Sequence, residues 1–313
     1  MTDRETQGSS QLSRLYGTDF HFQLARYLDL SGLVMTTADS AGAKDHTAYS
    51  LAASWRSSFW DFDAGYLNID NDFNPTMGFV PRRGIRKSTG GFSVHPRLDK
   101  YSIREYAPYI RMDYILDQEN SPATKLISTG VNLIFLNGAT LDFSRDGQFE
   151  RLTKPFSIGG GVLIPRGDYS WQNWKASYTS DISRRVSGSL GGEYGDFYAG
   201  TKRTATMGIA VHGNEHLTTG LTYARNMVWE PYGSFTSNLV GLRIDYGFSP
   251  IMFFNAFIQY NSQAHKFNTN LRFNLIHHPL SNLYITYSDI RDTLYRDQNT
   301  RILAIKFTQM IQF

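Results

Sequence analysis

Five acidic residues, Asp70, Asp72, Glu150, Asp168 and Asp196, lie in polar stretches between apolar segments. Two such carboxylates held about 5 to 9 Å apart are the equipment of glycoside hydrolysis. Spacing along a chain does not report separation in space, however, and loop carboxylates are commonly solvated or loosely bound to cations. His212 and His216 are four residues apart, which would place them on one face of a helix, but they flank a predicted tight turn at Gly213 and Asn214. His277 and His278 sit at a strand end. Neither pair has a third ligand or supporting shell in view, so no zinc site is expected. Gly159, Gly160 and Gly161 resemble a phosphate-binding loop only superficially, because the Lys-Ser/Thr and the helix that complete one are missing. No Ser, His and Asp set occupies a nucleophile-elbow context. The sequence therefore assigns no catalytic residue, cofactor or metal ligand, and an enzyme is not the expected reading.

A second group of charges is more ordered. Arg56, Asp61, Asp63, Arg111, Asp113, Arg243, Asp245, Arg272 and Lys306 all fall on the polar parity of alternating segments. Successive side chains of a strand point to opposite faces, so these residues would share one face with Asn, Ser, Thr and Gly. Charges facing a lumen can select solutes in a pore, or they can pair with one another and brace the wall. The opposite parity carries Trp55, Trp60, Tyr66, Tyr223, Tyr246 and Tyr260, suited to interfacial girdles. Trp171 and Trp174, near a loop, fit either a girdle or a carbohydrate-stacking platform.

The segments that must position these residues are strands. Residues 303–313 alternate, with Leu303, Ile305, Phe307, Ile311 and the terminal Phe313 facing one way, and Ile305, Phe307, Ile311 and Phe313 form a C-terminal signal for barrel assembly. Residues 267–277 set Leu271, Phe273 and Leu275 against Asn268, Asn270, Arg272 and Asn274. Tight breaks recur at 137–138, 180–184, 213–214, 249–250 and 278–281. Between them lie longer polar stretches at 37–45, 70–87, 117–123, 149–168, 228–234 and 289–300. Short turns on one rim and long loops on the other is the outer-membrane arrangement, with turns periplasmic. About seventeen strands of roughly 9 to 13 residues can be counted, the length a tilted strand needs to cross hydrocarbon.

Composition agrees. No stretch approaches the roughly 18 apolar residues of a spanning helix. The mean hydropathy of −0.36 is what alternating polar and apolar residues produce. The 313 residues include no cysteine, which removes disulfides and thiolate metal sites. A net charge of +3 without a basic block makes nucleic acid an unexpected partner. The expected fold is all-β: a transmembrane antiparallel up-and-down β-barrel of about 16–18 strands. Strand parity, counted back from Phe313, leaves the first strand, about 14–26, without a predecessor. Residues 1–13 are polar and have no secretory h-region, so they read as an outer loop or the remnant of a missing strand, with 14–313 as the barrel domain.

Eight segments then occur in order: 72–82 (DFNPTMGFVPR), 149–156 (FERLTKPF), 164–169 (IPRGDY), 183–190 (SRRVSGSL), 195–203 (GDFYAGTKR), 257–262 (FIQYNS), 270–274 (NLRFN) and 306–308 (KFT). Together they resemble a family of C-terminal outer-membrane barrels of unknown function, whose members typically carry a periplasmic module similar to family-9 carbohydrate-binding domains. The resemblance spans nearly the whole chain. It implies a cell outer membrane location in a Gram-negative bacterium, with membrane lipid and the barrel-assembly machinery as partners. The carbohydrate-binding module has no counterpart in these residues, so no sugar-binding residue carries over. Gln309 departs from the barrel-end pattern, which places an aromatic or apolar residue there. The expected function is a pore for small solutes or oligosaccharides; the alternative is a non-conducting anchor for a periplasmic carbohydrate-binding or hydrolase-like module.

Overall fold

The computed structural model describes residues 2–5, 12–38, 46–75, 78–294 and 299–310. Strands account for the regular structure, and no helix among the described residues is long and apolar enough to cross a membrane. The chain divides into two compact units, Met1–Leu133 with Ser144–Pro155 and Pro165–Gln172, and Ile134–Phe143 with Phe156–Ile164 and Asn173–Phe313.

In the first unit β1 (Thr2–Glu5), β2 (Leu12–Leu24), β3 (Leu28–Ala38), β4 (Thr47–Arg56), β5 (Trp60–Ile69) and β6 (Ile85–Val94) form an antiparallel meander. After the short β7 (Arg97–Lys100), β8 (Ile103–Asp117) continues it by pairing with β6. Strands β9 (Pro122–Phe135) and β10 (Thr140–Leu152) contribute residues to both units. The second unit adds a small hairpin, β11 (Phe156–Gly159) and β12 (Val162–Ile164). From Asn173 onward its meander runs through β13 (Gly167–Thr179), which like β9 and β10 contributes residues to both units, and then β14 (Val186–Phe197), β15 (Gly200–His212), β16 (Leu217–Glu230), β17 (Gly233–Ser249), β18 (Met252–Asn261), β19 (Lys266–His278), β20 (Ser281–Asp292) and β21 (Thr300–Thr308). Setting aside β7, β11 and β12, eighteen strands make an up-and-down antiparallel fold.

Register converts the alternation of the sequence into two continuous faces. Rows such as Phe254, Phe273, Ile285 and Ile305 cross four strands on the apolar face, while Asn255, Arg272, Thr286 and Ala304 cross the same strands on the other. Near the short turns the apolar face carries aromatic clusters: Trp60 stacks on Trp55 with ring centroids 5.3 Å apart, and Tyr246 meets Phe248 edge-on at 4.7 Å. At the Asn137-Gly138 turn, Gly138 adopts φ +86°, which its lack of a Cβ permits, and Asn137 Oδ1 accepts a hydrogen bond from Ala139 N.

Three expectations are corrected. The opposite rim is not uniformly long-looped: β14 joins β15 through residues 198–199 alone, and β16 joins β17 through 231–232. Residues 228–230 and 233–234 are strand, because ladder pairing from Val228 to Phe235 and Glu230 to Gly233 continues after the alternation of apolar residues has stopped. Four strands also exceed the expected length, β8 at 15 residues, β9 and β16 at 14 and β17 at 17. Finally, β21 ends at Thr308: its partner β20 begins at Ser281, and Met310 N donates to the Ser281 hydroxyl at 2.9 Å instead of extending the ladder. Ile311 and Phe313, expected to belong to the assembly signal, lie outside the described residues, as do most of 1–13 and 39–45.

Buried cores occupy an unexpected place. In the first unit Phe73, 1% exposed, packs with Ala48, Ile69 and Ile85, and Leu15, Met35, Leu67, Val80 and Ile115 surround the cluster. Pairing places Met35, Ala48, Ile69, Ile85, Lys87 and Ile115 on the same parity as Asp61 and Asp63. The described parts of the connection, 70–75 and 78–84, therefore fold onto the polar face, which becomes apolar at the loop end to receive them. In the second unit the β11–β12 hairpin does the same. Gly160 and Gly161, at φ +58° and +77°, form its two-residue type I′ turn, and Val162 and Ile164 are 2% and 0% exposed. Val162 lies over Gly233, where a Cβ would stand 3.1 Å from its Cγ2, and Gly160 packs against Phe235. Gly233 and Phe235 share the parity of Arg243 and Asp245.

Candidate functional site

The polar face of the first unit carries a chain of charges set by the β4–β5 turn. Register puts Arg56 opposite Asp61, and the Arg56 guanidinium reaches Asp63 Oδ1 at 3.8 Å while donating to Phe62 O at 3.2 Å. Asp61 accepts from Ser57 N at 3.2 Å and meets His95 Nε2 at 3.1 Å. The other ring nitrogen of His95 lies 3.0 Å from Glu105 Oε1, so one imidazole bridges two carboxylates between the end of β6 and the start of β8. Farther along, Lys87 pairs with Asp113 at 3.3 Å, and the Arg111 guanidinium stacks 4.6 Å from the Tyr109 ring. Asp63, Thr89, Arg111, Asp113, Leu126 and Ser128 line a cleft of about 330 Å³.

The second unit has its own set. Arg243 Nε donates to Asp245 Oδ2 at 2.7 Å, and Asn255 Nδ2 donates to Asp245 Oδ1 at 2.6 Å. Arg272 lies 5.0 Å from the Tyr284 ring, and Lys306 is the register partner of Tyr284. Arg243, Asp245, Asn255, Phe257, Asn270 and Arg272 line a cleft of about 300 Å³. Three cations against one carboxylate leave this strip basic, whereas in the first unit Asp61, Asp63, Glu105 and Asp113 outnumber Arg56, Lys87 and Arg111. Side chains of Arg56 and Arg243 remain 53% and 68% exposed, so pairing does not remove these strips from solvent.

All nine charges singled out from the sequence thus lie on the polar faces, five in one unit and four in the other. The sequence did not single out His95, Glu105 or Lys87, nor the buried Asn173 that donates to Glu193 at 2.9 Å, with Lys202 pairing to the same carboxylate at 3.2 Å. For Lys87, Glu193 and Lys202 the signal was present as parity. Glu105 shares the parity of Arg111 and Asp113 in β8, whereas His95 lies in an irregular connection where parity carries no information.

The other candidates take structural roles. Asp70 accepts from Thr47 N at 3.1 Å and Asn68 Nδ2 at 2.7 Å, and Asp168 forms a two-pronged pair with Arg151 at 2.9 Å on each side. His212 and His216 direct Nδ1 to the backbone oxygens of Arg184 and Gly247, at 3.2 and 2.8 Å, so the two rings do not converge. His277 stacks on Phe307 at 5.0 Å. Among the described residues no group of three His, Cys, Asp or Glu could hold a metal ion. Trp174 stacks on Phe143 at 5.5 Å and is 47% exposed on the apolar parity, as a girdle residue would be, whereas Trp171 is buried. Ile305 and Phe307 project from the apolar face of β21.

An up-and-down antiparallel fold with one face apolar and girdled by aromatics, and the other polar and charged, is a transmembrane β-barrel of the outer-membrane type. Solved structures agree on the fold. The siderophore receptor PirA from Pseudomonas aeruginosa aligns over 94% of this chain and 69% of its own, at a TM-score of 0.51 and 11% identity. A point mutant of the ferric enterobactin receptor PfeA from the same organism aligns over 97% and 70%, at a TM-score of 0.50 and 10% identity. At such identities the likeness is one of fold. No family model matches the sequence, and no curated protein matches it.

Proposed function

We propose that this chain is a conducting barrel of the outer membrane of a Gram-negative bacterium, passing small polar solutes, with oligosaccharides as the candidate class. The observation that carries the reading is the solvent access of the charged polar strips, above all the basic strip of Arg243, Arg272 and Lys306, with an apolar-anchored loop folded over the loop end of the same face in each unit. Charged walls set solute preference and inward-folded loops set the cut-off. Ile305 and Phe307 belong to the signal by which the assembly machinery would recognise the terminal strand.

The near-complete pairing in the first unit favours a second reading, a braced, non-conducting anchor for a periplasmic carbohydrate-binding or hydrolase-like module. Planar-bilayer conductance of the longest natural reading frame, refolded into lipid, separates the two. Steady open-level currents are expected. A heat-modifiable, protease-resistant barrel that carries no current would overturn the pore and leave the anchor.

A further inference from the structure

The apolar face of the second unit changes character near the loop end, over four adjacent strands. Three rows are apolar apart from one tyrosine: Met252, Leu275, Leu283 and Phe307; Phe254, Phe273, Ile285 and Ile305; Ala256, Leu271, Tyr287 and Leu303. The next row, ~7 Å farther along the strands, reads Ile258, Thr269, Asp289 and Arg301, and above it Tyr260 and Phe267 are followed by Arg291. Two arginines and an aspartate thus stand on the lipid-facing parity just past the three apolar rows, on the side of the strands away from the short turns.

Their arrangement is asymmetric. Asp289 is 2% exposed and lies beneath the two guanidiniums: Arg291 Nε donates to its Oδ2 at 2.6 Å, and Arg301 Nε stands 3.6 Å from its Oδ1. The arginine side chains remain 52% and 61% exposed. Tyr260, Phe267, Arg291, Asp292, Thr293, Asn299 and Arg301 line a shallow cleft of about 760 Å³ there, so a second carboxylate, Asp292, which falls on the opposite parity of β20, borders the cleft beside the two guanidiniums. One covered carboxylate between two outward cations orients both, and on the lipid-facing parity it is the only carboxylate set against the two guanidiniums, the other acid of the cleft, Asp292, lying on the opposite parity as the register partner of Lys266. A cation at the edge of a low-dielectric medium gains most from a fixed anion, and planar guanidiniums suit phosphate oxygens.

We propose that Arg291 and Arg301 form a binding site for the phosphate of a lipid headgroup in the outer leaflet, with Asp289 as the residue that positions them. The acyl chains would lie along the rows ending at Leu271, Tyr287 and Leu303. Their presence directly below the guanidiniums is why the phosphate is assigned to a lipid rather than to a free anion. The site follows from the fold and does not depend on whether the lumen conducts.

Native mass spectrometry of the refolded full chain in non-ionic detergent tests this, with bis-phosphorylated lipid A, the same lipid after removal of its phosphates, and inorganic phosphate as separate probes. Wild type is expected to retain lipid A and to lose at least about tenfold in occupancy with the phosphate-free lipid, and R291Q/R301Q to lose a similar factor with lipid A. R291K/R301K is expected to keep part of the binding, since charge remains without the planar fork. Heat-modifiable migration on gels checks that each variant is folded. Equal retention of both lipids by wild type, which needs no variant, overturns the proposal. Retention of lipid A by folded R291Q/R301Q at the wild-type level also overturns it. Inorganic phosphate binding that competes fully with lipid A would show an anion site without a lipid component and would reject the lipid assignment.

Discussion

Replacing Val162 and Ile164 together by alanine should release the β11–β12 hairpin from the polar face of β17. The hairpin has only two strands of four and three residues, too little to be stable alone, so its position depends on the contacts these side chains make. Both are essentially inaccessible to solvent, and Val162 sits over Gly233. The double substitution removes roughly five methylene-sized groups from burial at about 0.8 kcal/mol each, or about 4 kcal/mol in all. Because the hairpin would swing away and leave no cavity behind, no cavity term is added. If docking is a local two-state equilibrium, about 4 kcal/mol corresponds to nearly three decades in its constant, and amides of 156–164 should exchange with deuterium up to about a thousandfold faster. Amides of the β17–β18 ladder should be unaffected. Hydrogen exchange read by mass spectrometry on the refolded protein resolves such a factor. Unchanged protection of 156–164 in the double variant would refute the reasoning, since it would mean that the hairpin is held by something other than these two side chains. Protection lost equally throughout β17 would refute it from the other side, by making the hairpin part of the global fold.

Phe73→Ala should destabilise the first unit's loop-end cluster by about 3–5 kcal/mol, because an aromatic ring is lost from a fully enclosed site; exchange of 70–84 at the wild-type rate would contradict this. The turn at 180–185 should give a pH signature. Hydrogen bonds from the Ser183 hydroxyl and N–H, with the Arg184 guanidinium nearby, hold the Asp181 carboxyl below the usual carboxylate range. A depressed folded pKa stabilises fully above the unfolded value of about 3.9 and is lost as pH falls through the folded value. The stability gap between wild type and Asp181→Asn should therefore be constant at neutral pH and close on acidification below about pH 4, and a gap independent of pH down to 2 would exclude this role. In a conducting barrel, replacing Arg243 and Arg272 by glutamine should shift the reversal potential in a salt gradient toward cation preference. An unchanged reversal potential would remove the basic strip from selectivity.

The period-two alternation of this chain was enough to sort its residues between two faces, because pleating is a local property and each side chain's side follows from its neighbours. That is why Arg56, Asp61, Asp63, Arg111, Asp113, Arg243, Asp245, Arg272 and Lys306 share the polar faces, why Trp55, Trp60 and Tyr260 oppose them, and why the turns at Gly138 and Gly213 stand where glycine and asparagine predicted them. Alternation is silent about partners. The bridge from Asp61 through His95 to Glu105 depends on where an irregular connection returns to the sheet, and the pairing of Asn255 with Asp245 depends on interstrand register. The folding of Phe73 and Val80 and of the 156–164 hairpin onto the polar face was hidden for the same reason. A loop reads as polar and exposed until the strand faces beneath it are known, and only the assembled strands show that Ala48, Ile69 and Ile85 open an apolar seat for Phe73, or that Gly233 leaves room for Val162. The arginine pair on the lipid-facing parity was equally invisible, since Arg291 and Arg301 are separated by a loop and meet over Asp289 only through the pairing of β20 with β21. Local chemistry set which way each side chain points, and the hydrogen-bond register between distant segments decided what it meets.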